Sequence, residues 1–520
     1  MHAAAMAAGV TGTRSLRATV SPAPVTAQVM MTSVLVFRSL RGLRASTIAA
    51  RTLGSDDVTQ ARRSGSRARS WTGSLGLPKV ARGSGIHVYD TSGKRYLDAS
   101  GGPALFCLGH GHPEVTAAIV RQLERVAHGY RYTFTSDPLE QLRALLTRAC
   151  RGESGPGRST DEAHTLDSMV FVSGGSEAVE SALKVALQYH SARGEMGRRR
   201  FIARRRSWHG NTLGALAVSD FLDRRAPFEG ALVEASFVPQ VSMYRPPAGI
   251  APEALGAHAA AELEAEILRV GPERVAAFIF EPVVGAAGGA LPPPPGYAAR
   301  VRELCTRYGV LLIADEVMCG SGRTGTWRAL EQDDVVPDIM AVAKGLAGGY
   351  LPLGATIYSR AVASVLEAAD GGPLTGHTFT AHTTACAAGL AVQTIIARDA
   401  LLARVRTAGA QFQAALRAAL SRQEAVGDVR GRGFFIGVEL VADRATRAPF
   451  AAERALAETI GSCAFEDGLI CYASGGNVDG ILGDTIILAP PYIATDAELE
   501  EIIERFGRAV ERGVEMAARR

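Results

Sequence analysis

Five short apolar runs, at residues 169–172, 201–203, 276–280, 310–314 and 339–342, are separated by stretches whose apolar residues recur every three to four positions. Runs so short and so uniformly apolar suit strands buried on both faces. Strands that alternate with helices build a largely parallel sheet covered on both sides. The expected class is therefore α/β. A chain of 520 residues, 47% of them hydrophobic, is long enough to divide its core between two lobes.

Around this middle region the pattern changes twice. Segment 85–98 (GIHVYDTSGKRYLD) alternates apolar and polar residues about a Ser-Gly pair, which predicts a hairpin. From Pro113 the spacing of Val115, Ala118, Ile119, Gln122 and Leu123 predicts a helix. Past about residue 390 one long helical stretch is expected to about Gln423. It is followed by a strand at 434–440, a helix near 451–467 and a strand at 485–488, the pattern of a compact α+β lobe.

Composition excludes several roles. A formal charge of +4 gives no reason to expect a nucleic-acid partner. No apolar run approaches the length of a membrane span. The seven cysteines are dispersed, and no pair has C-x-x-C spacing, so neither a disulfide framework nor a metal site is expected and a reducing, cytoplasmic compartment fits best. Residues 1–70 are rich in Arg, Ser and Ala, with only Asp56 and Asp57 as acids. This composition is read first as a disordered extension, or an over-long start, of an arginine-rich chain, with a mitochondrial transit peptide as the alternative. Either way the fold is expected to begin near Trp71.

Two places suggest chemistry. Run 169–172 leads through Ser173-Gly174-Gly175-Ser176-Glu177-Ala178 into a helical pattern. A strand, a small-residue turn and a helix start leave backbone N–H groups and the positive dipole end facing any anion. An ordinary tight turn would look the same. Run 310–314 ends in Asp315 and Glu316, and run 339–342 delivers Lys344. In open α/β sheets the carboxyl ends of the strands are where ligands bind. The chain has only four lysines, Lys79, Lys94, Lys184 and Lys344, and one of them stands at such an end. A lysine that forms a Schiff base, with an acid that keeps a pyridine nitrogen protonated, is what pyridoxal phosphate requires.

The blocks follow one another in a recognisable order. They are Tyr96-Leu97-Asp98 with Leu108-Gly109-His110-Gly111-His112-Pro113, then residues 173–178, Trp208-His209-Gly210, Glu281-Pro282-Val283, Asp315-Glu316-Val317, Ala343-Lys344-Gly345 and residues 376–382. From about residue 75 to the C-terminus the chain resembles class III aminotransferases of the fold-type I pyridoxal-phosphate superfamily. The resemblance implies an aspartate aminotransferase-like fold. Residues 71–115 would pack with the small domain, 116–385 form the large cofactor-binding domain, and 386–520 form the small C-terminal domain. It also implies the site. Gly175 and Ser176 would bind the cofactor phosphate, Trp208 would stack on one ring face and Val317 on the other. Asp315 would pair with the pyridine nitrogen near Glu281, and Lys344 would carry the aldehyde. His209 is either catalytic or a structural histidine of its loop. Thr378 would reach the phosphate of the neighbouring subunit, which implies a homodimer with shared active sites.

The implied reaction is a ping-pong transfer of an amino group from an amine or amino acid to an oxo acid, pyruvate or 2-oxoglutarate. An aminomutase, an epimerase, a decarboxylase or a non-catalytic relative would share the same scaffold. Departures concern the substrate. Where relatives of the ornithine type carry a carboxylate-binding arginine this chain has Ile487, and where amine:pyruvate types carry theirs it has Asp496. Arg131, Arg206 and Arg432 are the remaining candidates for a carboxylate, each also readable as a surface or structural arginine. Thr383 replaces the proline common at the end of the 376–382 block.

Overall fold

A computed structural model describes residues 76–152 and 162–519. The expectations for residues 1–70 and for a start at Trp71 fall outside the described residues. The first elements are β1 (Val80–Ser84), β2 (His87–Asp90) and β3 (Arg95–Asp98), an antiparallel meander. The predicted hairpin is β2–β3. Its turn forms because Asp90 Oδ1 accepts from the Ser92 and Lys94 backbone N–H groups at 2.8 and 3.0 Å. Strand β1 lay outside the alternating segment and was not expected.

The main sheet has seven strands: β4 (Leu166–Val172), β5 (Arg200–Arg204), β6 (Ala235–Val238), β7 (Val275–Phe280), β8 (Leu311–Asp315), β9 (Ile339–Val342) and β10 (Gly354–Ser359). Their spatial order is β4-β10-β9-β8-β7-β5-β6. Strand β10 runs antiparallel to both of its neighbours, and the other pairs are parallel. All five predicted runs are here. The two strands that periodicity missed have physical reasons for being hard to see. Strand β6 is an edge with one partner and three half-buried residues, so it lacks a continuous apolar run. Strand β10 buries Thr356 in its middle, where the hydroxyl donates to the Ala178 carbonyl at 2.7 Å.

The C-terminal lobe is a second sheet of β11 (Val426–Arg432), β12 (Phe435–Leu440), β14 (Tyr472–Gly475) and β15 (Asp484–Leu488), antiparallel throughout in the order β11-β12-β15-β14. Helices Leu401–Leu420, Leu456–Glu466 and Asp496–Ala518 cover it, and Phe412, Leu416, Ile460, Ile502 and Phe506 pack on Ile436, Val438, Ile486 and Leu488. Each such side chain contributes roughly 1.5–3 kcal/mol by leaving water. The short strand β13 (Leu469–Ile470) pairs in parallel with β3, which ties the N-terminal meander to this lobe. The single long helix expected past residue 390 is two helices, Thr383–Arg398 and Leu401–Leu420, inclined at 66°. Ala400 breaks them with φ 49°. The break serves two cores: Ala385 and Cys386 of the first helix pack beneath the main sheet, whereas Val405 and Phe412 of the second pack in the C-terminal lobe. Among the described residues no single helix is long and apolar enough to cross a membrane. All seven cysteines are free.

Candidate active site

The segments that sequence singled out leave one edge of the main sheet. Ser173 to Ser176 follow β4, Trp208 and His209 follow β5, and Glu281 follows β7 directly. Asp315 ends β8 with Val317 just beyond, and Lys344 follows β9. These five strands run in the same direction, so their carboxyl ends converge, the geometry that places ligands in α/β sheets.

Asp315 is 3% exposed. Its Oδ2 lies 2.7 Å from His209 Nδ1 and its Oδ1 accepts from the Val317 N–H at 3.0 Å. A carboxylate can only accept, so the network assigns the proton to Nδ1. His209 Nε2 is buried without a partner. His209 thus fixes the rotamer of Asp315. Glu281 lies beside the pair. Its Oε1 accepts from the Trp208 N–H at 2.9 Å and its Oε2 from the Gly285 N–H at 2.8 Å. Burial raises its pKa above the usual carboxylate range, with the charge of Asp315 adding to the rise and His209 opposing it. Arg204 at the end of β5 donates to the Glu281 carbonyl and closes the network from behind.

Lys344 is partly buried and holds a left-handed backbone, φ 43°. Such a conformation is uncommon for a side-chain-bearing residue. It turns the chain out of β9 into the 3₁₀ turn Lys344–Leu346. Burial lowers the pKa of its amine, while Asp315 and Glu281 pull it back up. The other three lysines are on the surface.

A cavity of about 370 Å³ joins these groups, and Gly175, Ser176, Trp208, His209, Glu281, Asp315, Val317 and Lys344 all line it. At one end, helix Gly175–Ala192 begins with no side chain capping it. Its first N–H groups and dipole therefore face the cavity. A Cβ on Gly175 would lie 2.7 Å from Val317 Cγ1, so only glycine lets Val317 close over the turn. Ser176 Oγ accepts from the Asn211 N–H at 2.9 Å, and Gly210 makes room for it at φ 142°. The cavity thus has an anion-binding end, an acidic end at Asp315, a flat indole wall and one amine. These groups fit a phosphorylated pyridine aldehyde.

Other candidates stay out of the cavity. Thr378 is exposed in the loop that His377 and Thr380 close by a 2.7 Å bond from the His377 N–H to Thr380 Oγ1. Arg206, with φ 57°, is buried against Asp220. Arg432 pairs with Asp333 at 2.7 Å, and Arg131 lies over Tyr132 at 4.6 Å. Ile487 is 1% exposed and sits among Ala104, Val283, Met318 and Phe435. Asp496 faces Arg404 at 3.0 Å. Sequence reasoning missed Arg204 and also Arg224, whose guanidinium lies 4.6 Å from the Trp208 ring centre. In a chain that uses arginine almost everywhere, no single arginine stands out.

A family model described as aminotransferase class-III matches residues 71–510. An uncharacterised aminotransferase of Schizosaccharomyces pombe is 40% identical over 83% of this chain and 92% of its own. Gamma aminobutyrate transaminase 3 of Solanum lycopersicum is 32% identical over 83% of this chain and 80% of its own. Among solved structures, an amine transaminase from an uncultivated Pseudomonas species, in its PLP-bound form, is 33% identical with a TM-score of 0.76, covering 86% of this chain and 98% of that one. The omega transaminase from Pseudomonas jessenii, in complex with PMP, is 29% identical with a TM-score of 0.78, covering 89% and 98%.

Proposed function

The chain belongs to the class III aminotransferases, and from that premise we propose how its cavity handles substrate. It is a pyridoxal-phosphate-dependent transaminase of fold type I. When bound, the cofactor supplies an aldehyde for the amino group and a ring that draws electrons from the substrate's Cα. The rest is done by side chains. Lys344 holds the cofactor and, once the amino donor has displaced it, takes the Cα proton on Nζ. A lowered amine pKa suits that task, because it raises the share of free base. Asp315, held by His209, keeps the pyridine nitrogen protonated. Trp208 and Val317 clamp the ring, and Gly175 and Ser176 bind the phosphate.

The acceptor in this reading is an oxo acid, pyruvate or 2-oxoglutarate. Thr378 serves the phosphate of a second copy, making a homodimer with shared sites. Tyr132, Phe134, Leu374 and Phe379 are exposed on or beside the Thr378 loop, the apolar surface such a contact needs. The unpaired cysteines agree with a reducing compartment, and we place the protein in the cytoplasm.

The observation that carries the proposal is that the one lysine in the cavity shares its walls with the Asp315–His209 pair. Lys344→Ala is expected to remove the long-wavelength cofactor band and nearly all turnover; full activity would overturn the assignment. A second measurement separates transamination from other outcomes on this scaffold. Adding an oxo acid to enzyme held in the amine form should restore the aldehyde band and release an amino acid.

A further inference from the structure

A transaminase acting on amino and oxo acids needs a cation for their carboxylates, and the two positions where relatives carry one are blocked here. Ile487 is sealed in an apolar cluster, and Asp496 is acidic and paired with Arg404. Arg206 and Arg432 are committed to Asp220 and Asp333.

The short helix Leu222–Arg225 carries two consecutive arginines with opposite fates. Arg225 is buried, and its Nη1 donates to the carbonyls of Leu216, Ala217 and Ser219 at 3.0, 2.7 and 2.9 Å. It anchors the loop. Arg224, beside it, is exposed. Its guanidinium lies over two aromatic rings, 4.6 Å from the centre of Trp208 and 5.0 Å from that of Phe221, which meet edge-on at 5.8 Å. Among the described residues its side chain has no hydrogen bond or ion pair. A guanidinium over a ring face keeps its in-plane N–H donors free, and their fork matches a carboxylate. Trp208 is a wall of the cavity. The charge of Arg224 is also felt at Lys344, where it disfavours a proton.

We propose that Arg224, held over Trp208, binds the carboxylate of the amino-acid donor and of the oxo-acid acceptor. This rests on the transaminase reading of the cavity. Arg224 is a specificity residue that replaces, from another loop, the arginines missing at 487 and 496.

The test uses holoenzyme and two unreactive probes of nearly equal shape, propionate and propionamide, titrated while the cofactor band is followed. The wild type should bind propionate at least about tenfold more tightly, as expected for a charge-assisted pair. Arg224→Gln should bring the ratio close to one, and Arg224→Lys should retain part of it. If Arg224 only steadied Trp208, both probes would weaken together and the ratio would persist, which would overturn the proposal. A wild-type ratio of one would overturn it as well. The underlying transaminase reading fails separately, and before any probe is added, if purified wild type fails to show a cofactor band on adding pyridoxal phosphate. In turnover, Arg224→Gln should raise KM for the oxo acid about tenfold or more, with a smaller fall in kcat.

Discussion

Asp315 has both carboxylate oxygens engaged, one by a buried histidine and one by the next strand-end amide, so it can neither rotate nor follow a displaced partner. Asp315→Asn keeps the shape and removes the charge, and turnover should fall by about 100-fold or more. Single-turnover kinetics would check it, with cofactor content measured first. Its neighbour Glu316 has a different task. It accepts from the Ala329 and Leu330 N–H groups at 2.8 and 3.1 Å, and burial lifts its pKa to about 7. A carboxyl raised in the fold binds its proton more tightly there than in the unfolded chain. Its contribution to stability is full below about pH 4.5 and is lost as pH rises to about 7. Glu316→Gln should flatten thermal stability across that window, by on the order of 3 kcal/mol at most, read as Tm against pH. At this scale the sequence was legible where a residue type is rare. Lys344 stood out as one of four lysines, and Asp315 as an acid closing an apolar run. Arg204 and Arg224 were hidden by the abundance of their own kind.

Elements were legible where burial is symmetrical. Strands β7, β8 and β9 are buried at every position and wrote themselves into the chain as unbroken apolar runs. Edge position concealed β6, a buried threonine concealed β10, and tertiary demand bent one apparent helix into two at Ala400. The last helix, Asp496–Ala518, has the opposite character, since its start is locally encoded. Thr495 and Glu498 form a reciprocal capping box, with the Glu498 carboxylate accepting from the Thr495 N–H at 2.8 Å and Thr495 Oγ1 from the Glu498 N–H at 3.3 Å. Thr495→Ala should cost about 1 kcal/mol, seen as a lower midpoint of chemical unfolding with activity retained in native buffer.

For the whole molecule, the proposed shared site has a consequence that one subunit cannot mimic. In the proposed homodimer, Lys344→Ala and Thr378→Glu would each damage both sites. In a mixed dimer one site would pair intact Lys344 with intact Thr378. Refolding the two inactive variants together should therefore restore up to about a quarter of wild-type turnover, given random pairing of subunits. Chromatography with light scattering should report a dimer; a monomer with full activity would sink the shared-site assignment. The packing around Ile487 carries a different lesson, about what can be altered by design. Its side chain is enclosed by Ala104, Val283, Met318 and Phe435 at the junction of the two lobes. An arginine grafted there in one step would place an uncompensated charge in an apolar seam, at a cost of several kcal/mol. Any lineage or laboratory that wanted a cation at this position would have to reopen that seam first. The exposed helix turn beside Trp208, where Arg224 lies, is the cheaper ground for change.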